Sequence, residues 1–325
     1  MLGGYPGTTG GGCPHGEGPA RPPSVTSMET RPQPQPGARV ENRYRHAGLF
    51  FLLATAIPWA LWLPAAWFSR QPDSGLLVGV LGIAGLLAPV GVVAWLTRGD
   101  RDLARDMLRR LDVRGVRPVW LLVACGLMPA AVVVATLISL PLGYSADQLL
   151  LRGAFTFTAG LIPGWVVIVL APVAEELAWH SYGTDSLRRR FTVFTTSMVF
   201  GVIWAVWHLP LALIEGSSQN QTAEQGVLHA LNFPLSVFPF VLLMNWIYYR
   251  SGRNITVTIL FHLSANLVTQ VLATHPDTEV IATGVLLVTT TVVVIAERRL
   301  FFEPAIAPRP TSDGDPAGQG VAIAA

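Results

Sequence analysis

The chain has 325 residues, of which 51% are hydrophobic and only 13% charged, with a formal net charge of +2 and a mean hydropathy of +0.47. Soluble domains carry about 25% charged residues, so the composition excludes an ordinary soluble globule and predicts an all-α, polytopic membrane protein. Every Lys-or-Arg position is an arginine, and the two cysteines, Cys13 and Cys125, form neither a disulfide framework nor a cysteine-based metal site.

Residues 1–45 are rich in Gly, Pro and polar side chains. They bury too little apolar surface to offset the entropy of ordering, so a disordered arm is expected there. No apolar signal-peptide core precedes residue 47. A helical membrane domain over 46–302 follows, with eight apolar segments at 47–68, 75–97, 118–141, 154–178, 192–214, 231–249, 254–273 and 280–296. A helix rising about 1.5 Å per residue needs roughly 20 residues to cross about 30 Å of hydrocarbon. The tail at 303–325 again has the composition of a disordered segment.

The arginines test this assignment independently. Arg39, Arg43 and Arg45 precede the first segment, and Arg98, Arg101, Arg105, Arg109, Arg110, Arg114 and Arg117 lie between the second and third. Arg188, Arg189 and Arg190 follow the fourth, Arg250 and Arg253 the sixth, and Arg298 and Arg299 the eighth; the alternate loops hold only Arg70 and Arg152. The positive-inside rule then predicts eight spans with both termini cytoplasmic. It also accounts for the basic loops without nucleic acid as a partner. Between the second and third spans, Leu103, Met107, Leu108 and Leu111 recur at helical spacing among charges. That pattern fits an amphipathic helix on the anionic inner leaflet or a solvated connecting helix.

Ionisable groups inside hydrocarbon cost roughly 2.5–3.5 kcal/mol each on insertion scales, so they mark cavities and function. Three segments carry them. The fourth ends with Glu175 and Glu176, which project about 100° apart on a helix, while Glu176 and His180 share a face one turn apart. Pro172 removes a backbone hydrogen bond just before the pair. The fifth segment holds His208 deep in an apolar run, one turn after Trp204. The seventh holds His262 and Asn266 at i,i+4, so imidazole and carboxamide share a face. Each alone also fits a plainer role, as a helix end or as hydrogen-bonding glue between spans. Together they predict one polar cavity shared by the three segments. Helix rise places His208 about 24 Å from residue 192, whereas the glutamates stand at the end of their segment. The groups meet only if span five starts outside the hydrocarbon or span four extends beyond it.

These residues resemble the CAAX-prenyl-protease and bacteriocin-processing intramembrane proteases, also called the type II CAAX endopeptidase or abortive-infection family. The family pattern is Glu-Glu-x-x-x-Arg, Phe-x-x-x-His and His-x-x-x-Asn on separate spans. Glu175-Glu176 fills the start of the first motif, Trp204-Ala-Val-Trp-His208 is similar to the second, and His262-Leu-Ser-Ala-Asn266 matches the third, so the resemblance covers about 155–270. His180 stands where the pattern has Arg, and Trp204 where it has Phe.

The resemblance implies an intramembrane endopeptidase acting on membrane-associated peptides or proteins. In it Glu175 acts on water, His208 helps hold that water, and His262 and Asn266 donate to the developing oxyanion, with Glu176, His180 and Trp204 in support. Glu175, His208 and His262 also match the ligand set of some zinc sites, leaving zinc open, although no His-Glu-x-x-His helix is present. The resemblance favours glutamate-activated water with no obligatory metal. The His180 departure keeps a non-catalytic immunity or scaffold protein of the same fold as an alternative. A proton-relaying transporter is a further one, though no broken-helix pair recurs in two halves. The expected location is the plasma membrane of a bacterium with a GC-rich genome.

Overall fold

A computed structural model describes residues 44–151, 164–302 and 304. The expected arm up to Arg43, the start of the fourth segment at 154–163 and nearly all of the tail lie outside the described residues. What is described is helical: α1 (Ala47–Phe68), α2 (Gly75–Thr97), a short α3 (Arg101–Arg109), α4 (Pro118–Ser139) and α5 (Gly164–Ala178) come first. They are followed by α6 (Thr184–Arg188), α7 (Val193–His208), α8 (Ser218–Glu224), α9 (Val227–Arg250), α10 (Ile255–Val271), α11 (Pro276–Ala296) and α12 (Arg298–Phe302). Among the described residues six helices are long and apolar enough to cross a membrane: α1, α2, α4, α7, α9 and α11, two of them with short 3-10 extensions. The shorter α10, of 17 residues, is also apolar.

Local chemistry explains several helix starts. The side chains of Thr192 and Asn254 cap α7 and α10 by accepting from the backbone N–H of Thr195 and Val257, at 3.1 and 3.0 Å. Pro118 and Pro276 open α4 and α11, where the missing N–H goes unneeded. Close packing needs glycine at one position in particular. A Cβ on Gly85 of α2 would lie 2.2 Å from the indole nitrogen of Trp62, which instead donates to the Gly82 carbonyl at 3.0 Å.

α5 packs between α2 and α10, and α7 packs on α9. The fourth expected segment does not stop at 178. A five-residue π turn, Trp179–Gly183, continues directly into α6, and the whole stretch from Ala178 to Arg188 is buried. Hydropathy ends the span early because His180, Ser181, Thr184, Asp185 and Ser186 are polar. His180 and Asp185 find partners in distant parts of the chain, Asn245 and Arg110, whereas the Ser181 and Ser186 hydroxyls bond the nearby carbonyls of Leu177 and Gly183. The glutamate pair therefore sits well inside the protein, which removes the mismatch in depth with His208.

The key to that buried stretch is Arg110, at the end of α3. Its guanidinium donates to the His180 carbonyl at 3.1 Å, the Ser181 carbonyl at 2.7 Å and Asp185 at 2.7 Å, and it also reaches the hydroxyls of Tyr44 and Tyr248. Arg253 donates to the same Asp185 oxygen from its Nε at 3.1 Å. The connecting helix is thus not solvated throughout. Leu103 joins the core and Leu108 stays 66% exposed, while Arg110 is drawn inward to bind carbonyls at the π turn. At the opposite ends of the helices, Asp277 on α11 accepts from Tyr144 at 2.5 Å and pairs with His229 on α9 at 3.0 Å, tying three elements together.

Burial pushes the Asp185 carboxyl up, but the Arg253 and Arg110 guanidiniums beside it outweigh burial and hold it below the usual carboxylate range. A depressed folded-state value stabilises the fold above the ordinary carboxylate range. That stability is lost as pH falls through the depressed value. Asp185→Asn leaves the buried Arg110 and the half-buried Arg253 facing a neutral amide and is expected to cost about 3–5 kcal/mol at neutral pH. Thermal unfolding in detergent from about pH 7 to about pH 3 should show a steep acid loss in the native protein and a flatter, lower curve in the variant. Parallel curves would refute it.

Candidate active site

Two consecutive carboxylates on one helix must face different ways, and here each meets its own set of partners. Glu175 looks into a cavity of about 390 Å³ that is also lined by Trp204, His208, His262 and Asn266. Glu176 points behind that wall and is fully buried. All four residues expected to be catalytic therefore line one hollow, reached from α5, α7 and α10. Apolar side chains of α2 and α4, such as Leu86 and Met128, close one part of it. Polar side chains of α8 and α9, such as Gln221 and Asn232, line another.

Trp204 organises the cavity side. Its indole N–H donates to Glu175 at 2.8 Å, and its ring lies 5.3 Å from both the His208 and His262 rings. Phenylalanine would keep the aromatic wall but could not hold the carboxylate, so this departure from the family pattern adds a bond.

Hydrogen bonds also fix how the two cavity histidines present themselves. His208 Nδ1 lies 2.7 Å from the Trp204 carbonyl, which can only accept, so the proton sits on Nδ1 and a neutral ring keeps a lone pair on Nε2. His262 Nδ1 lies 2.8 Å from Glu176, and a carboxylate acceptor there likewise leaves Nε2 bare in the neutral ring. This anchoring is the kind that metal-binding histidines use. Among the described residues, however, no three His, Cys, Asp or Glu side chains form a group suited to hold a metal ion.

Behind the wall, the other Glu176 oxygen meets His180 Nδ1, as the shared helix face predicted. His180 Nε2 lies 3.1 Å from the Asn245 side-chain oxygen on α9. Sequence reasoning missed Asn245, Arg110 and Tyr248. A buried asparagine in span six was the available signal for the first. Nothing in a basic loop distinguished Arg110 from its exposed neighbours.

The fold and site define a class first: a multi-pass helical membrane protein with a buried carboxylate–imidazole–carboxamide cavity, an arrangement suited to acid–base hydrolysis. Residues 156–268 match the type II CAAX prenyl endopeptidase Rce1-like family. The chain is also 30% identical over 258 residues to CAAX prenyl protease 2 of Methanococcus maripaludis, covering 78% of this chain and 95% of that relative. The chain belongs to this family of membrane proteases.

Hydrogen bonds to a charged group contribute about 1.5–3 kcal/mol. A double-mutant cycle of Trp204→Phe with Glu175→Ala, read by thermal unfolding in detergent, is expected to return a coupling of about that size. Strict additivity would mean that the indole does not hold the carboxylate.

Proposed function

We propose that the protein is an intramembrane endopeptidase that hydrolyses peptide bonds of membrane-associated substrates with glutamate-activated water. The observation that carries this is the shared cavity: one carboxylate, two imidazoles and one carboxamide, from three helices, line the same hollow. Family membership supports the reaction class.

In this mechanism Glu175 takes a proton from a water molecule while the water oxygen bonds to the scissile carbonyl carbon. The carbonyl π pair moves onto its oxygen. The bare Nε2 of His208 accepts the water's other hydrogen and aims its lone pair. Asn266 always carries amide donors, so it faces the oxyanion, joined by His262 when that ring holds a second proton. Such donors typically contribute about 2.7–4 kcal/mol. As the tetrahedral centre collapses, the C–N bond breaks and Glu175 returns its proton to the leaving nitrogen. The products are a carboxylic acid and an amine. Trp204 steadies Glu175, and Glu176 with His180 holds His262 from behind. No step here requires a metal, and retention of full turnover after exhaustive chelation is the expected outcome. Zinc-dependent recovery would instead assign Glu175, His208 and His262 as ligands.

The cavity's apolar and polar lining suits a substrate that brings both a lipid-embedded part and a peptide. Eight spans with both termini cytoplasmic is the topology that the alternating arginines support, with α5 and α10 completing the six long helices. Cysteine accessibility of the connecting loops in intact cells tests it.

Glu175→Gln, His208→Ala and His262→Ala are each expected to lower peptide cleavage by about 100-fold or more while leaving membrane insertion intact. The assay is purified protein in detergent with membrane-anchored peptides. Native turnover by Glu175→Gln would end the assignment.

A further inference from the structure

Behind the cavity a chain of hydrogen bonds runs from α7 through α9 to α5, and its direction can be read from one end. Ser197 Oγ donates to the Val193 carbonyl at 2.8 Å, which uses the hydroxyl's only proton. The lone pairs of Ser197 can then only accept, and they take the Asn245 side-chain N–H at 2.9 Å. That orients the amide, so its oxygen faces His180 Nε2 at 3.1 Å. An amide oxygen only accepts, so Nε2 carries a proton. On the ring's other side Nδ1 meets Glu176, whose second oxygen is already held by His262 Nδ1 at 2.8 Å.

Both His180 and Glu176 are 0% exposed. An isolated carboxylate there would be costly, and a cation touching it offsets that cost. The remaining neighbours of His180 leave the ring to this role. Phe200 and Tyr248 meet the ring in edge-to-face contacts, and Arg110 and Tyr248 bind its backbone carbonyl rather than the imidazole. Asp185 is engaged with Arg110, Arg253 and Tyr248.

We propose that His180 is an imidazolium, protonated on both ring nitrogens, clamped between Asn245 and Glu176, and that it acts as a positioning residue. It holds Glu176 ionised, which fixes the Nδ1–H tautomer of His262 and turns its Nε2 to the cavity. Asn245 is the second positioning residue, because it supplies the acceptor that keeps the Nε2 proton in place. A guanidinium is a permanent cation, so the arginine of the family pattern would meet the same charge requirement at this position without needing Asn245 to hold a proton. The positioning role rests on the proteolytic reading; the protonation state does not.

Nitrogen-15 NMR of histidine-labelled, full-length protein in detergent separates the two. His180 is assigned by the signal missing in His180→Gln or, should that variant not fold, by the signal perturbed in Asn245→Leu. Two protonated ring nitrogens on His180 are expected in the neutral-pH sample. One bare nitrogen overturns the proposal. In cleavage assays Asn245→Leu should lower kcat about tenfold or more with little change in KM, the order met when a partner orienting an active-site histidine is removed. His180→Arg should turn over faster than His180→Gln. Unchanged kcat in Asn245→Leu overturns the positioning role. A doubly protonated His180 in a protein that cleaves nothing would support the imidazolium while removing the protease assignment.

Discussion

A carboxylate taken out of water must find its hydrogen bonds inside the protein, and two carboxylates adjacent in sequence must find them on different sides of their helix. The Glu175-Glu176 pair is built on that constraint. Glu175 faces the cavity and accepts from the Trp204 indole. Glu176 faces away and has each oxygen bound to an imidazole. In the proposed mechanism the first acts on water, and its neighbour holds His262 in place. The difference comes from the roughly 100° between successive side chains, not from any difference in chemistry.

Holding that pair at depth requires a continuous buried helical path beyond it, although the residues there are polar. The π turn at Trp179–Gly183 accommodates them, and Arg110 binds two carbonyls in that turn. Helical irregularities of this kind recur at functional sites because they present side chains and backbone groups that a regular ladder would hide. Here the carbonyls of His180 and Ser181 become the sockets for a guanidinium arriving from a loop more than sixty residues earlier. That contact links the basic loop to the site, since the turn it binds carries the ring that touches Glu176.

The two departures from the family pattern take on a common sense in this geometry. Trp204 supplies an N–H where phenylalanine has none, and that N–H is spent on Glu175. His180 supplies ring nitrogens that reach both Glu176 and Asn245. Each substitution is matched by a partner in the same chain, which is how a site retains its arrangement after its side chains change.

Much of this was legible in the order of residues. Apolar runs mark where hydrocarbon can be crossed, and α1 and α2 begin and end at the residues where their runs do. Spacing of three and four residues places His180 below Glu176 and Asn266 above His262, because helical geometry is local. What the order of residues could not carry was anything that depends on which helices are neighbours. Hydropathy ended the fourth segment at 178, since it scores each polar residue as if it faced water or lipid. Only the tertiary structure shows Arg110, Tyr248 and Asn245 arriving to satisfy those groups. It alone also decides which nitrogen of each histidine faces the cavity, because the partner that takes the other proton is a carbonyl one turn away or a carboxylate on a different helix.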